Sequence, residues 1–288
     1  MEIGIGLPAT VPGVTGEELT EWARRADQTS LSSLGTIDRV VYANYEPLVA
    51  LTAAAVVTSR IRLLTSVLLM PLRLNIALFA KQAATLHHLS GGRLVLGMGL
   101  GGREDDFDVS GADMGTRGRV FDRQLDEMKR IWAGEEKGYA GPIGPNLDTP
   151  PQILIGGGVD ASYKRAAEHG AGWIMGGGTP DQFREGVAKV EEQWRAAGRS
   201  GEPRKAGLVY YSLGPDAERN ADAYLKGYYG FLGDELAGMI AGSAAKDADT
   251  VKQYAAAFEQ AGADEIVFFP SSSDPNQVNL LVEAAGIN

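Results

Sequence analysis

The 288-residue chain holds 37 Asp and Glu against 27 Lys and Arg, a net charge of -10. With no basic excess to release phosphate counterions and no basic run for an anionic bilayer, nucleic acid and a membrane surface are excluded as expected partners. There is no cysteine, which removes disulfides, thiolate metal sites and a cysteine nucleophile. The apolar runs are strand-length and MEIGIGLP lacks a basic or long apolar leader, so the expectation is a cytoplasmic protein.

Short apolar runs alternate with longer amphipathic segments. Residues 3–7 read as a strand, and 17–29 as a helix with Leu19, Trp22, Ala23 and Ala26 on one face. A strand at 34–37 ends at Asp38, and PLVALTAAAVVT (47–58) reads as a buried helix opened by Pro47. A strand at 61–69, a helix at 76–89 and a strand at 93–98 follow. REDDFDVSGADMGTRG, with three glycines and no sustained apolar stripe, reads as a loop before a helix at 117–132. In the second half, strands at 152–155, 173–175, 208–213 and 265–269 alternate with helices at 161–169, 181–197, 217–229, 250–262 and 275–285. Eight strand-then-helix units predict an α/β fold, a single (β/α)8 TIM barrel spanning 1–288 as one domain, with an insertion at 214–249.

LVLGMGLGGREDDF (94–107) contains G-x-G-x-x-G at Gly97, Gly99 and Gly102, the dinucleotide fingerprint. That fingerprint belongs to the first strand of its domain and opens at once into a helix. Here the strand is the fourth and the helical pattern resumes only near Thr116, so the reading is a barrel strand ending in a loop at the C-terminal face. Gly156, Gly157 and Gly158 follow the fifth strand, and Gly176, Gly177 and Gly178 the sixth, each just ahead of a helix. Exposed N–H groups at a helix N-terminus suit an anion. Three clusters after consecutive strands point to a ligand with a phosphate and a flat ring, with plain turn chemistry the alternative at each site.

The other polar residues have structural readings. His87, His88 and His169 sit near helix C-termini, where positive charge complements the dipole, and no carboxylate at ligand spacing accompanies them, so no metal is expected. Asp105, Asp106 and Asp108 read as a solvated acidic loop lacking EF-hand spacing. Glu104 adjoins the glycine loop and either faces the ligand or does not. Tyr42, Asn44 and Tyr45 follow Asp38 at the predicted mouth and either contact substrate or cover the barrel edge. Tyr224, Tyr228 and Phe231 fit helix packing or a substrate wall.

FAKQAATL (79–86), LSGGRLVLG (89–97), Gly99, Gly101, REDDF (103–107) and GADEI (262–266) together resemble the luciferase-like flavin and deazaflavin oxidoreductases. The resemblance implies a (β/α)8 barrel holding reduced FMN or the 8-hydroxy-5-deazaflavin coenzyme F-420 at its mouth. It further implies a small organic substrate, a homodimer and a separate reductase that supplies reduced cofactor. FMN would serve monooxygenation and the deazaflavin hydride transfer, the latter preferred for a chain this short. Asp38 matches a deazaflavin contact, and with Glu104 it is a candidate catalytic group. Arg39 stands where relatives often carry a histidine, and a permanently charged guanidinium is no general acid or base near neutral pH. Ser66 and Val67 match a third-strand bulge with a cis peptide behind the cofactor ring. Gly99, Gly101, Gly102 and Arg103 match the loop lining the cofactor, and Gly156, Gly157 and Gly158 the phosphate turn, with Gly176 and Gly177 beside it. Tyr42 and Tyr45 are the substrate candidates. A flavin-binding barrel without turnover is the alternative, and a metal-dependent barrel hydrolase a weaker one.

Overall fold

In the computed structural model, which describes residues 1–135 and 137–287, eight parallel strands pair in sequence order and close on themselves. The elements run β1 (Glu2–Gly6), α1 (Gly16–Asp27), β2 (Ser33–Thr36), α2 (Pro47–Val57), β3 (Arg62–Leu69), α3 (Ile76–Leu89), β4 (Leu94–Gly99), α4 (Glu104–Ser110) and α5 (Arg117–Trp132). They continue with β5 (Gln152–Gly156), α6 (Asp160–His169), β6 (Gly172–Met175), α7 (Pro180–Ala196), β7 (Arg204–Tyr211), α8 (Ala217–Tyr229), α9 (Asp234–Gly242), α10 (Ala248–Gln260), β8 (Glu265–Pro270) and α11 (Asn276–Ala285). This is the expected (β/α)8 barrel. The insertion is the pair α8 and α9, placed between β7 and the barrel helix α10. Among the described residues no helix is long and apolar enough to cross a membrane.

Three expectations need correction. The segment after Gly102 is not a plain loop, because α4 begins at Glu104. Its seven residues carry no apolar stripe; Glu104, Asp105 and Asp106 in the first turn complement the helix dipole, and Gly111, at φ 66°, closes the helix in the left-handed region. The absence of a helix therefore does not argue against a dinucleotide fold here; the closed barrel does. Second, β7 starts at Arg204 rather than 208, because ion pairs at the barrel bottom tolerate a charged strand entrance. Third, a positive charge does not explain His87 and His169. Burial lowers the pKa of both rings, and Lys129 lowers that of His169 further.

Inside the barrel, Leu64, Val95, Leu154, Ile174, Leu208 and Val267 pack with Phe269. Phe269 fits because Gly6 and Gly35 face it: a Cβ on Gly6 would lie 2.4 Å, and on Gly35 2.7 Å, from its ring. The SGGR segment supports this frame from the bottom of β4, away from the mouth. Gly91 and Gly92 turn through positive φ. Arg93 donates to the carbonyl oxygens of Ala55, Thr58, Ile61 and Ser90, tying α2 to the start of β3.

The bottom is closed by Glu265, whose side chain is 3% exposed and pairs with Arg204 at 2.8 Å and Arg62 at 3.2 Å. Burial alone would raise the Glu265 pKa, but the two guanidinium groups and the Ser32 hydroxyl hold it below the ordinary value. A carboxyl depressed in the folded state stabilises fully above its unfolded pKa, about 4.3. That stabilisation is lost as pH falls through the folded value. Urea midpoints should therefore drop on acidification below about pH 4.3. The Glu265→Gln protein should start from a lower midpoint at pH 7 and show a flatter acid limb. An unchanged acid limb would contradict this role.

Candidate functional site at the C-terminal mouth

Strand β3 does not run straight. Its register against β4 shifts between Thr65 and Leu68, and the Ser66–Val67 peptide is cis. The irregularity re-aims Val67 toward the neighbouring strand ends. A Cβ on Gly99 would stand 2.8 Å from Val67 Cγ2, and one on Gly156 3.0 Å from Cγ1. Glycine at these two positions is thus required by the Val67 side chain and not by backbone conformation. Gly157 and Gly177 differ: their φ values of 131° and 115° lie where only glycine is at ease.

Beyond Val67 opens a cleft of about 490 Å³ whose walls include Gly156, Gly157, Gly158, Gly176, Gly177 and Trp173. The Trp173 indole donates to the Gly157 carbonyl at 2.7 Å, and the Ser162 hydroxyl accepts from the Val159 N–H at 3.1 Å, fixing the turn into α6. The N–H groups of Gly157, Gly158, Gly176 and Gly177 donate to no protein acceptor among the described residues. Lys189 lines the same cleft from α7. A wall of one branched side chain, a glycine floor and free N–H groups beside two helix N-termini fit a flat ring carrying a phosphate. A larger cavity, about 740 Å³, lies at the barrel bottom against Met1, Arg204 and Asp264, away from these strand ends.

On the opposite side of the mouth, charges are paired and buried. Asp38 is 3% exposed, and its Oδ2 accepts from Arg73 at 2.6 Å and from the Leu69 N–H at 2.7 Å. Arg39 Nε donates to Asp106 Oδ2 at 2.7 Å, while Asp106 Oδ1 accepts from the Val40 and Val41 N–H groups. Asp106 is 1% exposed, which corrects the solvated reading of that residue; Asp108 is exposed. The Asp106 charge holds the loop after β2. Arg103 pairs with Asp105 and lies 4.2 Å from the Phe231 ring centroid; Arg39 lies 5.9 Å from the same ring. Insertion aromatics therefore rest on the guanidinium groups of the β2 and β4 loops.

The remaining candidates separate. Tyr42 packs edge-on against Tyr228 with centroids 4.9 Å apart, joining a cluster with Tyr224, Tyr229 and Tyr210. Tyr45 donates its hydroxyl to the Val14 carbonyl at the barrel edge. Glu104 is exposed on the first turn of α4, and Gly101 and Gly102 lie in the loop before it. Asp38, Ser66 and the glycine clusters share the mouth. Tyr210, Tyr229 and Lys189 were missed: β7 alternation could have turned Tyr210 inward, but no sequence signal marks the other two.

The luciferase-like monooxygenase family profile matches residues 1–265. An uncharacterized protein of Mycobacterium tuberculosis is 35% identical over 175 residues, covering 57% of this chain and 61% of that one. The chain thus matches about three-fifths of the length of such curated relatives. The F420-dependent glucose-6-phosphate dehydrogenase of Kribbella flavida is 29% identical over 195 residues, 62% of this chain and 58% of that one. Among solved structures, an F420-dependent secondary alcohol dehydrogenase with an F420–acetone adduct superposes with TM-score 0.79 at 20% identity, covering 99% and 98% of the chains. The FMN-bound oxygenating constituent of 3,6-diketocamphane monooxygenase from Pseudomonas putida gives 0.73 at 18%, covering 98% and 95%. At these identities the superpositions speak to fold.

Proposed function

Because the chain belongs to the luciferase-like monooxygenase family, we propose that it is an oxidoreductase using a reduced flavin-type cofactor at the C-terminal mouth. The cofactor we favour is the 8-hydroxy-5-deazaflavin coenzyme, with FMN second, and the substrate is a small organic molecule. The observation carrying this reading is Val67, set against Gly99 and Gly156 at the head of the glycine cleft. Val67 would back the ring, and the free N–H groups of Gly157, Gly158, Gly176 and Gly177 would hold the phosphate, with Lys189 as a nearby cation. When bound, the cofactor supplies two-electron chemistry that protein side chains lack. The preference for the deazaflavin is supported by the Kribbella relative, which is named for it.

The chain's own contribution is placement and exclusion of water. Arg39 cannot shuttle a proton near neutral pH, and the paired Asp38 and Asp106 fix the loop that carries it. The same engagement of Arg39 favours a second reading, a barrel that binds the cofactor without turnover. Titrating the purified chain with oxidised and reduced deazaflavin and FMN is expected to show tight binding of the deazaflavin; binding of neither would overturn the reading. Substrate-dependent oxidation or reduction of the bound cofactor would eliminate the second one.

A further inference from the structure

A second cavity of about 480 Å³ lies under the insertion, lined by Leu208, Tyr210, Tyr229, Leu236, Met239 and Ile240. It shares Gly176, Gly177 and Gln182 with the glycine cleft, so the two are contiguous. Among the described residues none of its lining side chains is charged. Most polar groups there already have partners. The Tyr254 hydroxyl donates to the Ser243 carbonyl at 2.7 Å, and the Ser243 hydroxyl donates to the Ile240 carbonyl at 2.8 Å. At the exposed rim, Thr179 and Gln182 cap α7 with each other.

Besides the Gly176 and Gly177 N–H groups already assigned to the cofactor phosphate, one polar feature is left over. The Tyr210 and Tyr229 hydroxyls are 2.8 Å apart and share a single hydrogen bond. Two hydroxyls carry two protons, so one O–H has no acceptor among the described residues. Burial raises both phenols above their ordinary pKa, so they remain neutral donors. Tyr210 also packs edge-on against Phe269 in the barrel interior, with ring centroids 6.5 Å apart, and both tyrosines line the cavity.

We propose that this cavity takes the apolar body of a neutral hydrophobic carbonyl compound or alcohol, whose oxygen is held by the Tyr210–Tyr229 hydroxyl pair. The inference rests on the oxidoreductase reading for what happens to that molecule, but not for its binding. An anionic substrate such as a sugar phosphate is disfavoured once the cofactor phosphate takes the Gly176 and Gly177 N–H groups, since the rest of the lining holds no cation to replace its hydration. One unmet donor suits one ligand oxygen, and the aliphatic and aromatic walls suit hydrocarbon.

The test is calorimetric titration of the full chain with 2-octanone, octanoate and glucose 6-phosphate, alone and with the deazaflavin. 2-Octanone should bind about tenfold or more tightly than octanoate, and glucose 6-phosphate should not compete. Met239 is 65% exposed, so Met239→Glu should fold, and it should weaken 2-octanone about tenfold while leaving cofactor affinity unchanged. Tyr229→Phe should weaken 2-octanone about five- to tenfold and leave octanoate unaffected, as expected for loss of one neutral hydrogen bond. Equal affinity for octanoate, preference for glucose 6-phosphate, or indifference of 2-octanone to both variants would overturn the proposal. Binding of 2-octanone without binding of either cofactor would instead sink the oxidoreductase reading and leave this cavity's assignment standing.

Discussion

Asp106→Asn is expected to cost about 3–5 kcal/mol of folding stability, the usual penalty for removing one member of a buried ion pair. The Arg39 side chain is 5% exposed and the Asp106 side chain 1%, so neither charge has water to fall back on. Asparagine keeps an oxygen for the Val40 and Val41 N–H groups, which separates loss of charge from loss of the loop's backbone bonds. What remains is a buried guanidinium with only the more distant and half-exposed Asp105 carboxylate, at 3.8 Å, beside it. The double variant Asp106→Asn with Arg39→Met removes that charge too, and should recover most of the loss. Urea denaturation of the three proteins, with slopes checked for constancy, measures both effects. If the single variant is within about 0.5 kcal/mol of the parent, the typical surface range, the pair does not hold the loop after β2.

Gly97→Ala is expected to damage both fold and mouth. Its Cβ would lie 2.0 Å from the Thr65 carbonyl oxygen and 3.1 Å from the carbonyl carbon, and these are backbone atoms that cannot rotate away. Strands β3 and β4 would have to part where Thr65 Oγ1 donates to the Gly97 carbonyl at 2.8 Å. Overpacking in a rigid core costs about 1–3 kcal/mol, and the upper end applies where no side chain can yield. Val67 follows Thr65 by two residues, so cofactor affinity should fall along with the melting temperature. Gly158→Ala is the control, with nothing within 4 Å of its Cβ and no positive φ, and its stability should match the parent. Equal melting temperatures for both variants would show that β3 and β4 can take up a Cβ at 97 without parting.

The contrast between Gly97 and Gly158 marks how far sequence carries. All the mouth glycines look alike in the chain. Tertiary neighbours and backbone angles separate those that yield space to Val67 or to the Thr65 carbonyl from those held at positive φ. Gly157 and Gly177, at positive φ, also leave N–H groups free for a ligand, as do Gly158 and Gly176.

What the sequence determined by itself was the alternation of eight strands with helices, because a buried parallel strand is a short apolar run and an outer helix a 3.6-residue stripe, both local patterns. The bounds of α3 and α5 agree with that periodicity to the residue. The mouth glycines were legible for the same reason, lying at or just after strand ends. Tertiary structure alone decided the rest. Asp106 looks solvated beside Asp105 and Asp108, and becomes buried only because Arg39, 67 positions earlier, arrives on a different strand end. Helix α4 has no apolar stripe to announce it, and its acidic first turn and Gly111 cap suffice once that ion pair anchors it. Tyr210 and Tyr229 are 19 residues apart, on β7 and α8, and their shared hydrogen bond exists only when the insertion folds back over the barrel. Local periodicity records which face of an element is buried; it holds no information about which distant partner buries it.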